Sequence, residues 1–307
     1  MAFKITKSQD LGFGSKIVKS GDRLINKDGS FNIIRKGNIG WNAYQVLIAL
    51  PMGRFILFTV LYFVILNTLF ALIFLAIGIE QLHGVPESSF VNNFLYAFFF
   101  SIQTFTTVGY GGINPSGIAA NMVASLGAML GLLSTAIITG LFFARFSHPQ
   151  SHISFSDKAL ICPYMGITSF QCRIVNKSYH KIINVSAQIT MTWLEDLGNE
   201  TKRRFKRLNL ERNKIILFPM NWTIVHPITE KSPLYNKTLD DLKKMNAEFL
   251  VMISAYDESY NQSIHDNSSY TWREIKSGFR FKPMYTTSGK GPTKLYLDDL
   301  SEVIKVQ

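Results

Sequence analysis

Two long apolar runs lie close together in the first half of the chain. "FILFTVLYFVILNTLFALIFLAIGI" covers 55–79, with Asn67 as its one strongly polar side chain, and "GIAANMVASLGAMLGLLSTAIITGLFFARF" covers 117–146. A bilayer core about 30 Å thick needs about 20 helical residues, so each run is long enough to span. They predict an outer helix over 52–79 and an inner helix over 117–146. The inner run is rich in small residues, Gly127, Ala128, Gly131, Ser134 and Ala136, which admit close helix contacts. Between the two, "FVNNFLYAFFFSIQ" is apolar and aromatic but too short to cross, which predicts a re-entrant helix over 90–104.

The rhythm changes after Pro149. Short runs rich in Ile, Val, Thr, Phe and Tyr, such as "INVSAQITMTWLE" and "EFLVMISAYDES", are separated by polar turns. Ile189, Met191 and Trp193 point one way along their run, and Thr190, Thr192 and Leu194 the other. That alternation predicts an all-β domain of sandwich type over 148–307, with one brief helix in "NKTLDDLKKMN". Ahead of the spans, residues 1–37 are polar and glycine-rich and read as an extended arm. Over 38–50, Trp41, Tyr44, Leu47 and Ile48 recur at helical spacing, which predicts an amphipathic helix along the inner membrane surface. Pro51 breaks it from the pore domain, 51–147.

Charge sharpens this picture. The chain of 307 residues has a formal net charge of +11. From Phe55 through Ala144 there is no Lys or Arg, and Glu80 and Glu87 are the only acids. A soluble surface needs basic side chains throughout. Two spans joined by an outside loop, with basic flanks held in the cytoplasm, account for their absence here. This topology explains the charge excess without nucleic acid, and no nucleophile–base–acid set suggests an enzyme. Cys162 and Cys172 suit a reducing compartment and form no disulfide or zinc pattern. The first residues lack the apolar core of a signal peptide. Both termini are therefore expected in the cytoplasm.

"TTVGYGG", 106–112, sits between the short helix and the second span. Irregular backbone at membrane depth is tolerable only where protein packs it or where it lines a polar path. An ion leaving water needs its hydration shell replaced, and stacked backbone carbonyls do so without a fixed charge. Turning successive carbonyls inward explains Gly109 and Gly111. Thr107, Val108, Gly109, Tyr110 and Gly111 thus form a candidate K+-coordinating stack, with the Thr107 hydroxyl at its inner end. Val108 and Tyr110 are expected to point away from the ion, buttressed by Phe98 to Phe100. One strand cannot encircle an ion but four copies can, so a homotetramer is expected. A phosphate loop would want a Lys and a following helix, and neither is present.

With these residues in place, the sequence resembles the inward-rectifier potassium channel family, particularly its bacterial branch. "AFFFSIQTFTTVGYG", "GLLSTAIITGLFFARFSHP", "TIVHPITEKSPLY" and "SSYTWREIKSGFRFKP" carry the resemblance over roughly residues 30 to 285. It implies a two-transmembrane-helix potassium channel pore with a re-entrant pore helix, followed by a cytoplasmic immunoglobulin-like β-sandwich. It also implies passive, voltage-independent K+ conduction with no cofactor beyond the permeant ion.

By the same resemblance, Gln103 and Thr106 support the filter, although Gln103 replaces the glutamate brace of many animal members. Thr135 stands in the cavity where strong rectifiers carry an acid, so block by Mg2+ or polyamines should be weak; Ba2+ is a further expected blocker. Gly131 matches a bending point of the inner helix, and close packing explains that glycine equally well. Phe143 is the favoured constriction, ahead of Phe142. Arg35, Lys36, Arg54, Arg145 and His148 are candidate contacts for anionic lipid, in a site depleted of the family's usual bases by Gln150 and Ser151. His226 lies in a segment that links neighbouring subunits near the gate, where it either titrates or is simply structural. Two other readings explain the spans: a poorly selective cation channel, loosened around Gln103, and a non-conducting membrane receptor or adaptor. The second gives no reason for the glycine filter.

Overall fold

The computed structural model describes residues 11–14, 23–34, 36–37, 40, 42–146, 153–198, 200–287 and 291–306. Arg35, Trp41 and His148, each singled out by the sequence, lie outside the described residues. The chain forms two compact units, one of Gly37–His148 and one that joins Met1–Lys36 to Pro149–Gln307.

The first unit is helical. Helix α1, Ala43–Ala49, starts where the Asn42 side chain accepts hydrogen bonds from the backbone of Tyr44 and Gln45. It is shorter than the 38–50 expected. Pro51 then begins α2, Met52–Ile77, whose mean hydropathy of 2.6 qualifies it as a membrane span. Helix α3, Phe90–Phe105, packs back against α2 through the edge-to-face pairs Phe74–Phe100, 5.2 Å between centroids, and Phe63–Phe105, 5.4 Å. Helix α4, Ile118–Phe146, is the second span. The outer loop is closed by a two-residue ladder, β1 (Leu82–His83) with β2 (Asn114–Pro115).

The second unit is the β domain. Its strands are β3 (Ile153–Phe155), β4 (Ala159–Tyr164), β5 (Ile167–Asn176), β6 (Ile182–Asp196), β7 (Thr201–Leu208), β8 (Lys214–Leu217) and β9 (Asn221–Ile228). After helix α5 (Leu239–Lys244) come β10 (Glu248–Asp257), β11 (Gln262–Thr271), β12 (Ile275–Ser277) and β13 (Phe279–Phe281). The short β14 (Tyr285–Thr286), β15 (Lys294–Leu295) and β16 (Val303–Lys305) end the chain. One sheet runs β11-β10-β6-β7 with β8 also on β6, and the other runs β12-β4-β5-β3 with β9 on β5. The sheets close over a common core in which Phe170 of one stacks on Phe249 of the other at 4.3 Å. Ile189 and Met191 lie in that core, as their alternation predicts.

The central part of the N-terminal arm packs on the β domain, with Leu24 and Ile25 buried beside Phe205 and Leu250. The Glu248 carboxylate accepts hydrogen bonds from the backbone N–H groups of Leu24 and Ile25, and the Ser269 hydroxyl donates to the Ile25 carbonyl at 2.6 Å. Burial pushes the Glu248 carboxyl above its ordinary range. The composition gave no sign of this packing because these apolar residues are few. They are buried because the outer face of the sheet is itself partly apolar at Phe205 and Leu250.

Residues beyond 285 also return to the domain. β16 pairs antiparallel with β13, and Leu300 is buried with Val175 and Met284. Arg173 anchors this return, donating to the Lys282 carbonyl at 2.8 Å and lying 4.4 Å over the Phe281 ring. Burial lowers its guanidinium pKa to about 10.

Candidate functional site

The glycine-rich segment begins where α3 runs out of turns. Thr106 caps the helix, and its hydroxyl donates to the Ile102 carbonyl at 2.7 Å. The Gln103 carbonyl then accepts the backbone N–H of Val108 at 2.9 Å and of Gly109 at 3.3 Å. Gln103 thus ties the segment to its helix through its backbone rather than through its side chain. Beyond this point the backbone alternates. Thr107, Gly109 and Gly111 have φ of 59°, 54° and 82°, while Val108 and Tyr110 do not enter the left-handed region. Gly109 and Gly111 were expected to do so; Thr107 was not, because a β-branched residue there is strained. The strain marks a backbone held in position by its surroundings.

Both ends of the segment are secured. The Asn114 side chain donates to the Gly111 carbonyl at 3.0 Å. A Cβ on Gly84 would lie 2.1 Å from the Gly112 carbonyl oxygen, so only glycine lets the outer loop come this close. Neither Asn114 nor Gly84 was singled out by the sequence, because a loop Asn and a loop Gly usually signal nothing more than a turn. Among the described residues no ring contact joins Tyr110 to the expected aromatic buttress. Phe100 packs on Phe74 and Phe98 on Phe94, while Tyr110 is 81% exposed and Val108 51%.

Behind the segment lies a buried polar pair. Ser101 donates to the Asn67 side-chain oxygen at 2.9 Å, and the Asn67 amide donates to the Phe63 carbonyl of its own helix at 2.9 Å. The one strongly polar side chain of the 55–79 run therefore fastens α3 to α2. Gly131 does the same work for α4. A Cβ there would stand 1.9 Å from the Phe105 carbonyl oxygen, and α4 runs unbroken through this position. Close packing is the role the structure gives this glycine. Thr135 is exposed one turn further on, and its hydroxyl donates to the Gly131 carbonyl at 2.9 Å.

At the inner end, Phe142 and Phe143 separate clearly. Phe142 packs edge-to-face on Phe55 at 5.0 Å and stacks on Phe146, whereas Phe143 is 74% exposed. Of the two, Phe143 is the side chain left uncovered in the single chain. The Arg145 guanidinium donates to the carbonyls of Leu47, Ile48 and Leu50 at the end of α1 and lies over the Phe55 ring at 4.7 Å. These are the carbonyls a helix end leaves unpaired. Arg145 therefore clasps α1 to α4. Arg54 and Lys36 are exposed.

His226 is buried, with Nδ1 2.6 Å from the Asn209 carbonyl and Nε2 2.8 Å from the Ser232 hydroxyl. A carbonyl only accepts, so Nδ1 carries the proton and Nε2 accepts from Ser232. Burial is the main cause that lowers its pKa below the ordinary 6.5. The two hydrogen bonds give this histidine a structural place between Asn209 and Ser232.

Comparison with known proteins agrees with this geometry. The inward rectifier potassium channel C-terminal domain matches residues 153–307, and an ion channel family matches 56–148. The chain is 33% identical over 287 residues to the inward rectifier potassium channel Kirbac3.1 of Paramagnetospirillum magnetotacticum, covering 92% of this chain and 95% of that protein. The chain belongs to the inward rectifier potassium channel family. More distant members include the ATP-sensitive inward rectifier potassium channel 15 of Mus musculus, 27% identical over 76% of this chain and 64% of the mouse protein. The inward rectifier potassium channel irk-1 of Caenorhabditis elegans is 28% identical over 62% of this chain and 37% of its own length. Membership accounts for the pairing of two spans and a re-entrant helix with a β-sandwich. It makes this chain a member of an ion channel family.

Proposed function

We propose that the chain assembles as a homotetramer around one central pore and conducts K+ passively through Thr107–Gly111. The observation that carries this reading is the alternating backbone of that segment, anchored at Gln103 and Asn114 and left open on one side in the single chain. Four such segments facing an axis form stacked rings of carbonyls, and the aromatic support missing around Tyr110 comes from neighbouring copies. Phe143 supplies the inner constriction, where a ring of apolar side chains stops ions by dewetting. Arg145 transmits movement of α1 to the helix end beside that ring. Thr135 offers a hydroxyl and no charge in the cavity, so Mg2+ and polyamines block weakly there. Arg54 and Lys36 supply attraction to anionic lipid, and the β domain, on the cytoplasmic side with both termini, modulates opening. The membrane is the bacterial inner membrane.

The test is tracer uptake into liposomes holding the purified protein. K+-driven, Ba2+-sensitive uptake that Na+ does not support is expected. Equal Na+ flux would replace this reading with a poorly selective pore loosened around Gln103. Absence of flux in the wild type and in Phe143→Ala, across several lipid mixtures, would point instead to a non-conducting receptor.

A further inference from the structure

The two ends of the glycine-rich segment are held by different kinds of group. At the inner end the anchor is the Gln103 backbone carbonyl, which a residue of any type would offer. At the outer end it is a side chain. Asn114 Nδ2 donates to the Gly111 carbonyl at 3.0 Å, and among the described residues no other side chain donates to a carbonyl of residues 107–111. Packing within the chain does not hold this end. The space a Cβ would fill is open at Gly109, Gly111 and Gly112, and Tyr110 is 81% exposed. Glycine backbone has more freedom to lose than any other, so the outer end depends on its one polar tie.

Asn114 is itself held from the far side. Pro115 restricts it to extended backbone, and the two residues pair with His83 and Leu82 in the β1–β2 ladder. Leu82 is rooted among Phe70, Phe74, Ala97 and Phe100. The Ser116 N–H and hydroxyl both donate to the Gln81 carbonyl, at 2.7 and 3.0 Å. The Gln81 amide in turn donates to the Ile77 carbonyl at 3.0 Å. Contacts therefore run from the end of α2, through the outer hairpin, to the last carbonyl of the segment.

We propose that Asn114 is a positioning residue that determines ion selectivity. The proposal rests on K+ conduction through Thr107–Gly111, as read above, and adds the group that fixes the outer ring. A peptide unit is planar, so holding the Gly111 carbonyl sets the whole plane between Gly111 and Gly112. Only the two torsions of Gly111 then separate that plane from the Tyr110 carbonyl. Stacked carbonyls distinguish K+ from Na+ by their spacing or by their number and field, and both require carbonyls that stay in place. Without the Asn114 amide the outer ring loosens toward a hydrated ion, and Na+ enters with K+.

The experiment compares K+ and Na+ uptake into liposomes by full-length wild type, Asn114→Leu, Asn114→Gln and Ser116→Ala. Leucine keeps the size of the side chain and removes the donor without adding charge. Its K+ over Na+ ratio should fall about fivefold, the ordinary worth of one hydrogen bond, while K+ uptake persists. The Gln variant keeps the amide and should recover most of the ratio. Ser116→Ala trims the same hairpin without touching the filter and should match the wild type. A K+-conducting Asn114→Leu with the wild-type ratio would overturn the proposal, and so would an equal loss in Ser116→Ala. A wild type that carries both ions equally, or neither, would instead strike the conducting reading. Hydrogen exchange over residues 106–113 in detergent then decides the role of Asn114 without conduction. Faster exchange in Asn114→Leu than in wild type and Ser116→Ala would keep Asn114 as the group that positions the segment, and equal exchange would remove it.

Discussion

The pore unit and the β domain treat their large apolar side chains in opposite ways. In the β domain Phe170, Ile174, Ile189 and Phe249 have no exposed surface at all. In the pore unit Tyr110 and Ile118 are each 81% exposed and Phe143 74%. Two facing sheets can finish an interior within one chain. Two spanning helices and a re-entrant one cannot, so their outer surfaces are left for lipid or for further copies. In the proposed tetramer the residues that do the work are those the single chain leaves uncovered. Among the residues it buries in the pore unit, Asn67, Ser101 and Gly131 fasten together the helices that carry the uncovered ones.

The comparison can be broken most severely at Gly131. Gly131→Ala puts a Cβ 1.9 Å from the Phe105 carbonyl oxygen, whereas Gly140→Ala meets nothing within 4 Å. The first variant should lose K+ flux and assembled particles on size exclusion, and the second should keep both. Wild-type flux in Gly131→Ala would mean that α4 does not seat the end of α3.

A smaller effect separates the two kinds of phenylalanine. Phe249→Ala, in the closed core, should cost about 3–5 kcal/mol of β-domain stability in chemical denaturation. Phe143→Ala should change stability by no more than about 0.5 kcal/mol, yet raise flux through channels that are closed at rest. If Phe143→Ala destabilises as much as Phe249→Ala does, that side chain is packing and not a constriction.

The buried polar pair gives a finer test. Ser101→Ala leaves the Asn67 oxygen without its donor and should lower thermal stability by about 1–3 kcal/mol. Adding Asn67→Leu should recover much of that loss, since both polar groups are then gone. No recovery would mean that the Asn67 bond to Phe63 is the important one.

The smallest expected effect is the pH response of His226. Its pKa in the folded domain lies below the ordinary 6.5, chiefly through burial. Above 6.5 both states are neutral and the group contributes no pH dependence. As pH falls from 6.5 toward the lowered value, the unfolded chain takes up a proton and the folded domain does not, so stability falls. Melting temperature against pH should show this decline, and His226→Gln should remove it. An unchanged profile in the variant would assign the decline to other groups.

Much of this was legible along the chain, and where it was not the reasons are physical. The spans and the short helix were readable from run length, because a bilayer of fixed thickness imposes a length. The β runs were readable from alternation, because successive side chains on a strand point to opposite faces. The positive φ of Thr107 was not readable, since no residue preference favours it. The clasp by Arg145 was hidden as well, because its partners are backbone carbonyls nearly a hundred residues earlier that carry no side-chain signature.

By itself, then, the sequence determined the class of architecture and the place of the glycine-rich segment between the short helix and the second span. Both follow from local periodicity, from charge exclusion and from a short motif whose backbone demands are intrinsic. Only the tertiary structure decided which of several similar residues does what. It assigned Phe142 to packing and Phe143 to the open face, Gly131 to close contact, His226 to a neutral structural bond, and the N-terminal arm to the β domain. Those assignments depend on what stands opposite each side chain. In a folded chain the opposite group is usually remote in sequence, where periodicity and motif carry no information.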